Sequence, residues 1–253
     1  MGLTLFARRL ALASDLAEKP GMTGMPASLD HPLRSALWGE QAHLAVGGEL
    51  ARRYRPEFGP LAALAETSPA ALAQLGELVR DHGPLALVQP GDALEVAGAV
   101  IEVRAEGVQM YYDLARHEDA PADPRIAPLA EADYAEMLAL AQLTQPGPFA
   151  QRTGDLGPFR GVRDRTGRLI AMAGQRMRFS EYCEISGVCT HPDAQGLGMG
   201  TALMRDAATR IMAEGRKPIL HVHAENSGAI ALYRRLGFTE RMRSWLTVYV
   251  PAP

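Results

Sequence analysis

Hydrophobic positions after residue 125 switch repeatedly between two-residue and helical spacing, and this alternation predicts an α/β fold. The apolar stripe of a first helix, over 131–143, consists of Tyr134, Met137, Leu138 and Ala141. Further helices are predicted over 198–214 and 227–236, and strands over 126–129, 159–163, 169–178, 182–190 and 219–224, with a terminal strand pair over 239–250. The order βα, three strands, α, β, α, ββ indicates a mixed sheet with helices packed on it.

The first half of the chain has a weaker pattern of the same kind. A helix is predicted over 69–80, because Ser68 can cap it, Pro69 suits its first position and Gly83 suits its end. Strands are predicted over 42–46, 51–54, 85–88, 97–103 and 108–114, the last two joined by a turn at Glu106-Gly107. These elements form a second α/β region, in which no catalytic motif is recognisable.

A proline-rich segment separates the two regions. Pro121, Pro124 and Pro128 lie close together without periodic apolar residues, which is typical of a domain joint. We therefore predict two domains, over 1–120 and 121–253. Residues 1–120 carry 10 Lys and Arg against 16 Asp and Glu, whereas residues 121–253 carry 16 against 13. The basic half is the better candidate for a polyanionic small molecule, but it is too mildly basic for nucleic acid.

Composition narrows the class of protein further. The 253 residues are 47% hydrophobic and 22% charged, which is ordinary for a cored globular protein. No apolar run of 18 residues exists, and Arg8, Arg9 and Asp15 interrupt any secretory leader, so we expect a cytoplasmic protein without a membrane partner. Cys183 and Cys189 would lie roughly 20 Å apart on one strand, too far for a disulfide or a shared metal ion. Both are expected to be small buried apolar residues.

The chemical signal is a glycine-rich loop between a predicted strand and a predicted helix. Gly196, Gly198 and Gly200 let the backbone approach an anion, and the N-terminus of the following helix offers unpaired N–H groups. A Walker A loop would need a Lys that is absent, and a dinucleotide fingerprint would need Gly where Thr201 stands. A tight structural turn without a ligand is the simpler alternative.

Two spaced signatures give this loop a context. Gln195, Gly198 and Gly200 match the Q/R-x-x-G-x-G/A pattern of the GNAT superfamily of N-acetyltransferases. Downstream, Asn226 precedes the pattern A-x-x-x-Y-x-x-x-G-F that ends at Phe238. Residues 124–250 therefore resemble a GNAT domain, and the whole chain resembles the glycine N-acyltransferase-like branch, whose first half is a degenerate copy of the same fold.

The resemblance implies a splayed mixed sheet, a preceding degenerate GNAT-like α/β domain, and acetyl-CoA as co-substrate without a metal. Strands 182–190 and 219–224 would separate around the pantetheine arm, and the N–H groups of residues 196–200 would bind the pyrophosphate. Tyr233 would protonate the departing thiolate. The residues implied to contact the cofactor are Val188, Cys189, Thr190, Gln195, Gly196, Leu197, Gly198, Met199, Gly200, Thr201, Asn226 and Tyr233.

The sequence indicates the base that removes the proton of the amine less clearly than it indicates the acid, Tyr233. Glu184 borders the expected reaction centre and is the candidate, with an ordinary solvated strand glutamate as the alternative. His221 and His223 share one strand face and could bind a metal, line the acceptor pocket or simply be half-buried, but no third ligand except Glu225 stands near them.

The function implied by the resemblance is acetyl transfer to a primary amine of a small molecule or peptide. A catalytically silent acyl-CoA sensor is the alternative. Residues 142–157 and the first half would shape the acceptor site, and the acidic balance of that half would attract a cationic amine. The oligomeric state is not indicated.

Overall fold

The computed structural model describes residues 27–116 and 122–253. Its helices are α1 (Pro32–Leu37), α2 (Pro69–His82), α3 (Tyr134–Thr144), α4 (Met199–Ala213) and α5 (Ser227–Arg235). Its strands are β1 (Ala45–Gly47), β2 (Ala51–Tyr54), β3 (Leu61–Leu64), β4 (Leu85–Gln89), β5 (Ala99–Tyr112), β6 (Ile126–Leu129), β7 (Phe159–Arg163), β8 (Leu169–Phe179), β9 (Tyr182–Thr190), β10 (Lys217–His223) and β11 (Phe238–Pro251).

The strands within residues 27–116 and 122–253 form one 11-stranded sheet in the order β1-β2-β3-β4-β11-β5-β10-β9-β8-β7-β6. Each side of the sheet contains one parallel strand pair whose strands are connected by a helix, β3-α2-β4 on one side and β9-α4-β10 on the other. The outer strand of each parallel pair, β3 or β9, is antiparallel to its next neighbour, β2 or β8. The antiparallel pair β5–β11 lies between them, where β11 also pairs with β4 and β5 with β10. Each half of the chain thus places one long strand against the parallel pair of the other half.

The two halves share a hydrophobic core. Tyr54, Ala86 and Val103 from the first half pack in one buried cluster with Phe179 and Ile219 from the second. Helix α1 lies against both β3 and β8, so it links the two sides of the sheet. This mutual burial favours folding of both halves as one unit.

Side-chain and main-chain hydrogen bonds add a second connection between the halves. Gln41 donates its amide to the carbonyls of Leu156 (2.9 Å) and Arg176 (2.7 Å). The Thr153 hydroxyl donates to the Phe58 carbonyl at 2.9 Å. The segment before β7 is therefore held against the first half of the chain.

The predicted fold class, an α/β fold with a splayed mixed sheet, is confirmed. The caps of α2 are also as expected, since the Ser68 hydroxyl accepts from the Ala71 N–H (3.3 Å) and Gly83 has a positive φ of 76°. Among the described residues, no helix is both long and apolar enough to cross a membrane. The division at residue 120 stays a prediction, and part of the proposed joint, 117–121, lies outside the described residues.

Two predicted turns are wrong, and both errors have the same cause. Strand β5 runs through Glu106 and Gly107 without turning, because Gly107 lies opposite His223 on one side and Ser244 on the other. The expected terminal strand pair is the single strand β11, whose pairing with β5 has two register shifts, between Glu240 and Met242 and between Val248 and Tyr249. Each strand has a continuous partner in the other half, so local turn preferences are overridden.

Smaller differences lie near the start of the described chain. Residues 42–44 form a 3-10 turn before β1, where a strand over 42–46 was expected. Helix α1 and strand β3 were not predicted, because each is too short to show a period of its own.

Candidate active site

A cavity opens where β9 and β10 separate. The two strands are parallel and pair only from Tyr182–Lys217 to Glu184–Ile219, so the later part of β9 has no strand on that side. The cavity between them is hereafter the first cavity. Its lining includes Ser186, Gly187 and Val188 of β9, Leu220, His221, Val222 and His223 of β10, and Asn226 and Tyr233 of α5. An extended ligand entering it could pair with the free edge of β9, as an added strand would.

A β-bulge shapes the wall of this cavity. Between Ser186 and Cys189, β9 has one residue more than its partner β8. Gly187 lies in the bulge with a φ of 64°, and a Cβ there would stand 2.8 Å from the Phe159 ring. Bulges bend a strand and increase its twist, so this one helps to turn β9 away from β10.

The glycine-rich loop forms an anion-binding site at the start of α4. Gly196 and Gly198 have φ values of 78° and 74°, and no atom lies within 4 Å of a Cβ built on either. Within the described structure, the backbone N–H groups of residues 196–201 have no acceptor, and the first bond of the helix is from Ala202 to the Gly198 carbonyl. These N–H groups stand at the positive end of a 15-residue helix, which favours phosphate.

Only some of the predicted cofactor residues have side chains that face the first cavity or the glycine-rich loop. Val188, Asn226 and Tyr233 line the first cavity, and Asn226 also caps α5 by accepting from the Ala229 N–H at 3.0 Å. Cys189 and Met199 have their side chains in the core. The remaining predicted residues are partly or fully exposed around the loop: Thr190, Gln195, Gly196, Leu197, Gly198, Gly200 and Thr201.

Both cysteines are buried free thiols, as predicted. Burial raises the pKa of Cys183 to about 12 and the pKa of Cys189 to about 11. Both therefore stay protonated near neutral pH and are poor nucleophiles.

Tyr233 combines a fixed ring with a protonated hydroxyl. Its ring meets Phe238 edge-on, with the centroids 6.1 Å apart. Burial raises the pKa of Tyr233 to about 12, and the hydroxyl has no hydrogen-bond partner among the described residues. The side chain lines the first cavity as a proton donor that is ready at neutral pH.

Glu184 is fully buried, so the solvated alternative is wrong. Arg176 donates to both of its carboxylate oxygens, from Nε at 2.7 Å and from Nη2 at 2.8 Å, and His221 Nδ1 lies 2.8 Å from Oε1. Burial alone would raise the pKa of Glu184, but Arg176 and His221 outweigh it and lower the pKa to about 2. Such a carboxylate accepts protons poorly near neutral pH, which disfavours the expected role as a direct base.

His221 is held by a hydrogen-bond chain that reaches into the first half. Gln109 donates its amide to the Leu29 carbonyl (2.9 Å) and faces His221 Nε2 at 3.2 Å, while its Oε1 accepts from Arg241 at 3.0 Å. An amide N–H only donates, so His221 accepts at Nε2 and donates from Nδ1 to Glu184. Neither ring nitrogen is left for a metal, and the described residues contain no group of three metal-binding side chains.

A second cavity, of ≈ 460 Å³, adjoins the first. The two share Gln145, Gly147, Pro148 and Leu246. Most of the second lining is apolar: Pro56, Pro60, Pro84, Ala86, Val103, Leu138, Ala141, Phe149 and Val248. The segment 142–151, which is part of the region predicted to shape the acceptor site, forms one wall. The predicted acidic wall is not found, because no described residue lining this cavity carries a carboxylate, and its titratable residues are Arg53 and His82.

The FR47-like protein family matches residues 160–248. A crystal structure from Novosphingobium aromaticivorans, described as a GNAT-family acetyltransferase, superposes with a TM-score of 0.81 at 38% identity. That match covers 90% of this chain and 100% of the other.

Curated relatives match over shorter stretches. An uncharacterised N-acetyltransferase of Methanocaldococcus jannaschii is 42% identical over 69 residues, which are 26% of this chain and 30% of the relative. The mycothiol acetyltransferase of Mycolicibacterium gilvum is 32% identical over 101 residues, 36% of this chain and 33% of the relative. The chain thus spans about a third of the length of these relatives. The full-length match to the Novosphingobium protein, together with the cavity and loop above, shows that this chain belongs to the GNAT family of acetyltransferases.

Proposed function

We propose that this protein transfers an acetyl group from acetyl-CoA to a primary amine by direct attack on the thioester. The observation that carries the proposal is the first cavity, which is lined by the free edge of β9 and by Tyr233. Strand β9 leads from this cavity into the loop before α4, where the N–H groups of residues 196–201 have no acceptor among the described residues. The three relatives reported above are named as acetyltransferases, which supports acetyl transfer.

The described residues fit acetyl-CoA. Gly196 and Gly198 leave open space where a phosphate would approach the backbone, and the N–H groups that follow would donate to it. The β9 edge at Val188 would pair with the amides of the pantetheine arm. When bound, acetyl-CoA supplies an acetyl thioester as the electrophile.

The residues of the chain then handle protons and orientation. Tyr233 donates its proton to the sulfur as the carbon–sulfur bond breaks. Both carboxylate oxygens of Glu184 and both nitrogens of His221 are already engaged, so we assign the amine proton to water in the cavity. Glu184 then acts as a positioning residue, which fixes the ring of His221 in the wall.

We also propose that the first half is a degenerate copy of the same fold, as in the glycine N-acyltransferase-like branch, with the domains divided near residue 120. The support is the matching arrangement β3-α2-β4 and β9-α4-β10. The connection before α2, residues 65–68, contains no glycine, so it lacks an equivalent phosphate loop. One cofactor per chain follows from this.

Acetyl-CoA or CoA is expected to stabilise the native protein, and Gly198→Val is expected to abolish most of that effect. A ligand at about 100 times its Kd adds roughly 2.7 kcal/mol to the free energy of unfolding. Valine would place branched carbon where backbone meets phosphate. Calorimetric titration should give one site per chain in the wild type.

Gly167→Val is the matched control for backbone strain. Gly167 has a similar φ of 89° and open surroundings, but it lies in the turn between β7 and β8. Both variants should lose intrinsic stability, while only Gly198→Val should lose the CoA-dependent thermal shift. Equal shifts in the two variants, or two bound cofactors per chain, would contradict the assignment.

Thiol release tests the enzyme against the silent sensor. With acetyl-CoA and a panel of primary amines, the wild type should release free CoA in proportion to the amine consumed. A sensor would show the CoA-dependent thermal shift without thiol release from any amine. That second result would overturn the proposed reaction and leave the binding site intact.

A further inference from the structure

Arg53 is a buried cation without an acidic partner. It belongs to β2, lines the second cavity and is 1% exposed. Its Nε donates to the Tyr54 carbonyl (3.2 Å), and its Nη1 donates to the carbonyls of His82 (3.1 Å) and Gly83 (2.9 Å). Within the described residues, no carboxylate forms an ion pair with it, and Nη2 has no acceptor.

Two other arginines with low exposure provide the contrast, because each has an acidic partner. Arg176 is paired with Glu184, and Arg241 is paired with Asp30. A buried charge without such a partner is unfavourable, and the three carbonyls only partly compensate Arg53. Burial lowers the pKa of Arg53 to about 10, which still leaves the group cationic at neutral pH. An anion in the second cavity would therefore be strongly favoured there.

The shape of the second cavity says what else the anion must carry. Its ≈ 460 Å³ suits a small organic molecule, and its walls are mainly apolar. It shares Gln145, Gly147, Pro148 and Leu246 with the first cavity, where Tyr233 lies. One molecule can thus extend from the reaction centre into the apolar space beside Arg53.

We propose that the acyl acceptor is an amine with an apolar body and a carboxylate, and that Arg53 binds the carboxylate through Nη2. This inference rests on the proposed acetyl transfer and names its substrate class. It replaces the cationic acceptor expected from the acidic balance of the first half, because the charge that faces the cavity is positive.

Matched acceptor pairs test the proposal in the full-length protein. One pair is 4-(aminomethyl)benzoate and 4-(aminomethyl)benzamide, and a series of ω-amino carboxylates with their amides varies the length. The amine is the same within each pair, so only the anionic group is compared. For the pair that fits best, kcat/KM of the wild type should favour the carboxylate by about 10–100-fold, as a charged hydrogen bond allows.

Substitution of Arg53 tests whether this residue causes the preference for the carboxylate over the amide. Arg53→Gln should reduce it to within about threefold while turnover of the amide persists, whereas Arg53→Lys should retain part of it. The CoA-dependent thermal shift confirms that each variant is folded. If Arg53→Gln does not fold, the proposal is tested by the preference of the wild type and by its partial loss in Arg53→Lys.

The failures are distinguishable. Equal kcat/KM for both members of every pair would overturn the inference and leave acetyl transfer standing. An undiminished preference in Arg53→Gln would do the same. Absence of turnover with every amine, despite CoA binding, would overturn the proposed function and this inference with it.

Discussion

Tyr233→Phe is expected to lower kcat by about 10²–10⁴-fold while acetyl-CoA binding stays nearly unchanged. The variant removes only the hydroxyl, and the ring keeps its contact with Phe238. Steady-state kinetics and CoA titration measure the two effects. Because burial raises the pKa of Tyr233 to about 12, its ionisation should cause no loss of wild-type activity up to about pH 10.

Tyr112→Phe is the matched control for Tyr233→Phe. Tyr112 also meets Phe238 edge-on, with the centroids 5.1 Å apart, but it is not among the residues lining the first cavity. Its substitution should leave kcat within a fewfold of the wild type. An unaltered kcat in Tyr233→Phe would mean that the thiolate takes its proton from water and that Tyr233 only packs.

Glu184→Gln is expected to lower the free energy of unfolding by about 3–5 kcal/mol, because it leaves Arg176 buried without its counter-charge. The double variant Arg176→Met/Glu184→Gln removes both charges and keeps an oxygen for His221, so it should recover most of the loss. Denaturant unfolding of the three proteins measures this. A Glu184→Gln variant with normal stability and a large fall in kcat would restore Glu184 as the base.

The same ion pair gives stability a defined dependence on pH. The pKa of Glu184 is about 2 in the folded protein, below the value near 4.3 of an unfolded glutamate. The unfolded state therefore binds the extra proton first as the pH falls. The contribution of Glu184 is complete above about pH 4.3 and is lost between there and about pH 2, and Glu184→Gln should lack this component.

Local patterns predicted much of the site but little of its surroundings. The loop at Gly196 and Gly198 and the helix of Tyr233 are local sequence features, so their positions could be inferred directly. The partners of Glu184 could not, because Arg176 and His221 lie on different strands. Gln109, which holds His221, comes from the other half.

Arg53 shows the limit most clearly. In the short strand Ala51–Tyr54 it is one of two adjacent arginines, and nothing local marks it as the buried one. The cavity that it lines is completed by residues 138–151 and by β11, which are far away along the chain. The net charge of the first half is negative, whereas the charged side chain that lines the cavity, Arg53, is positive. A net charge predicts the wrong sign here because it does not show which charged groups face the cavity.

The exchange of long strands between the halves has a consequence for how the protein is made. In the β5–β11 pair, Tyr112 lies opposite Phe238 and Val100 opposite Val250, so each contact closes a loop of well over a hundred residues. During synthesis, β4 and β5 emerge long before β11 and wait with unpaired edges, which attract other chains. Such distant pairings slow folding. We therefore expect the ribosome-bound first half to be the stage most prone to aggregation.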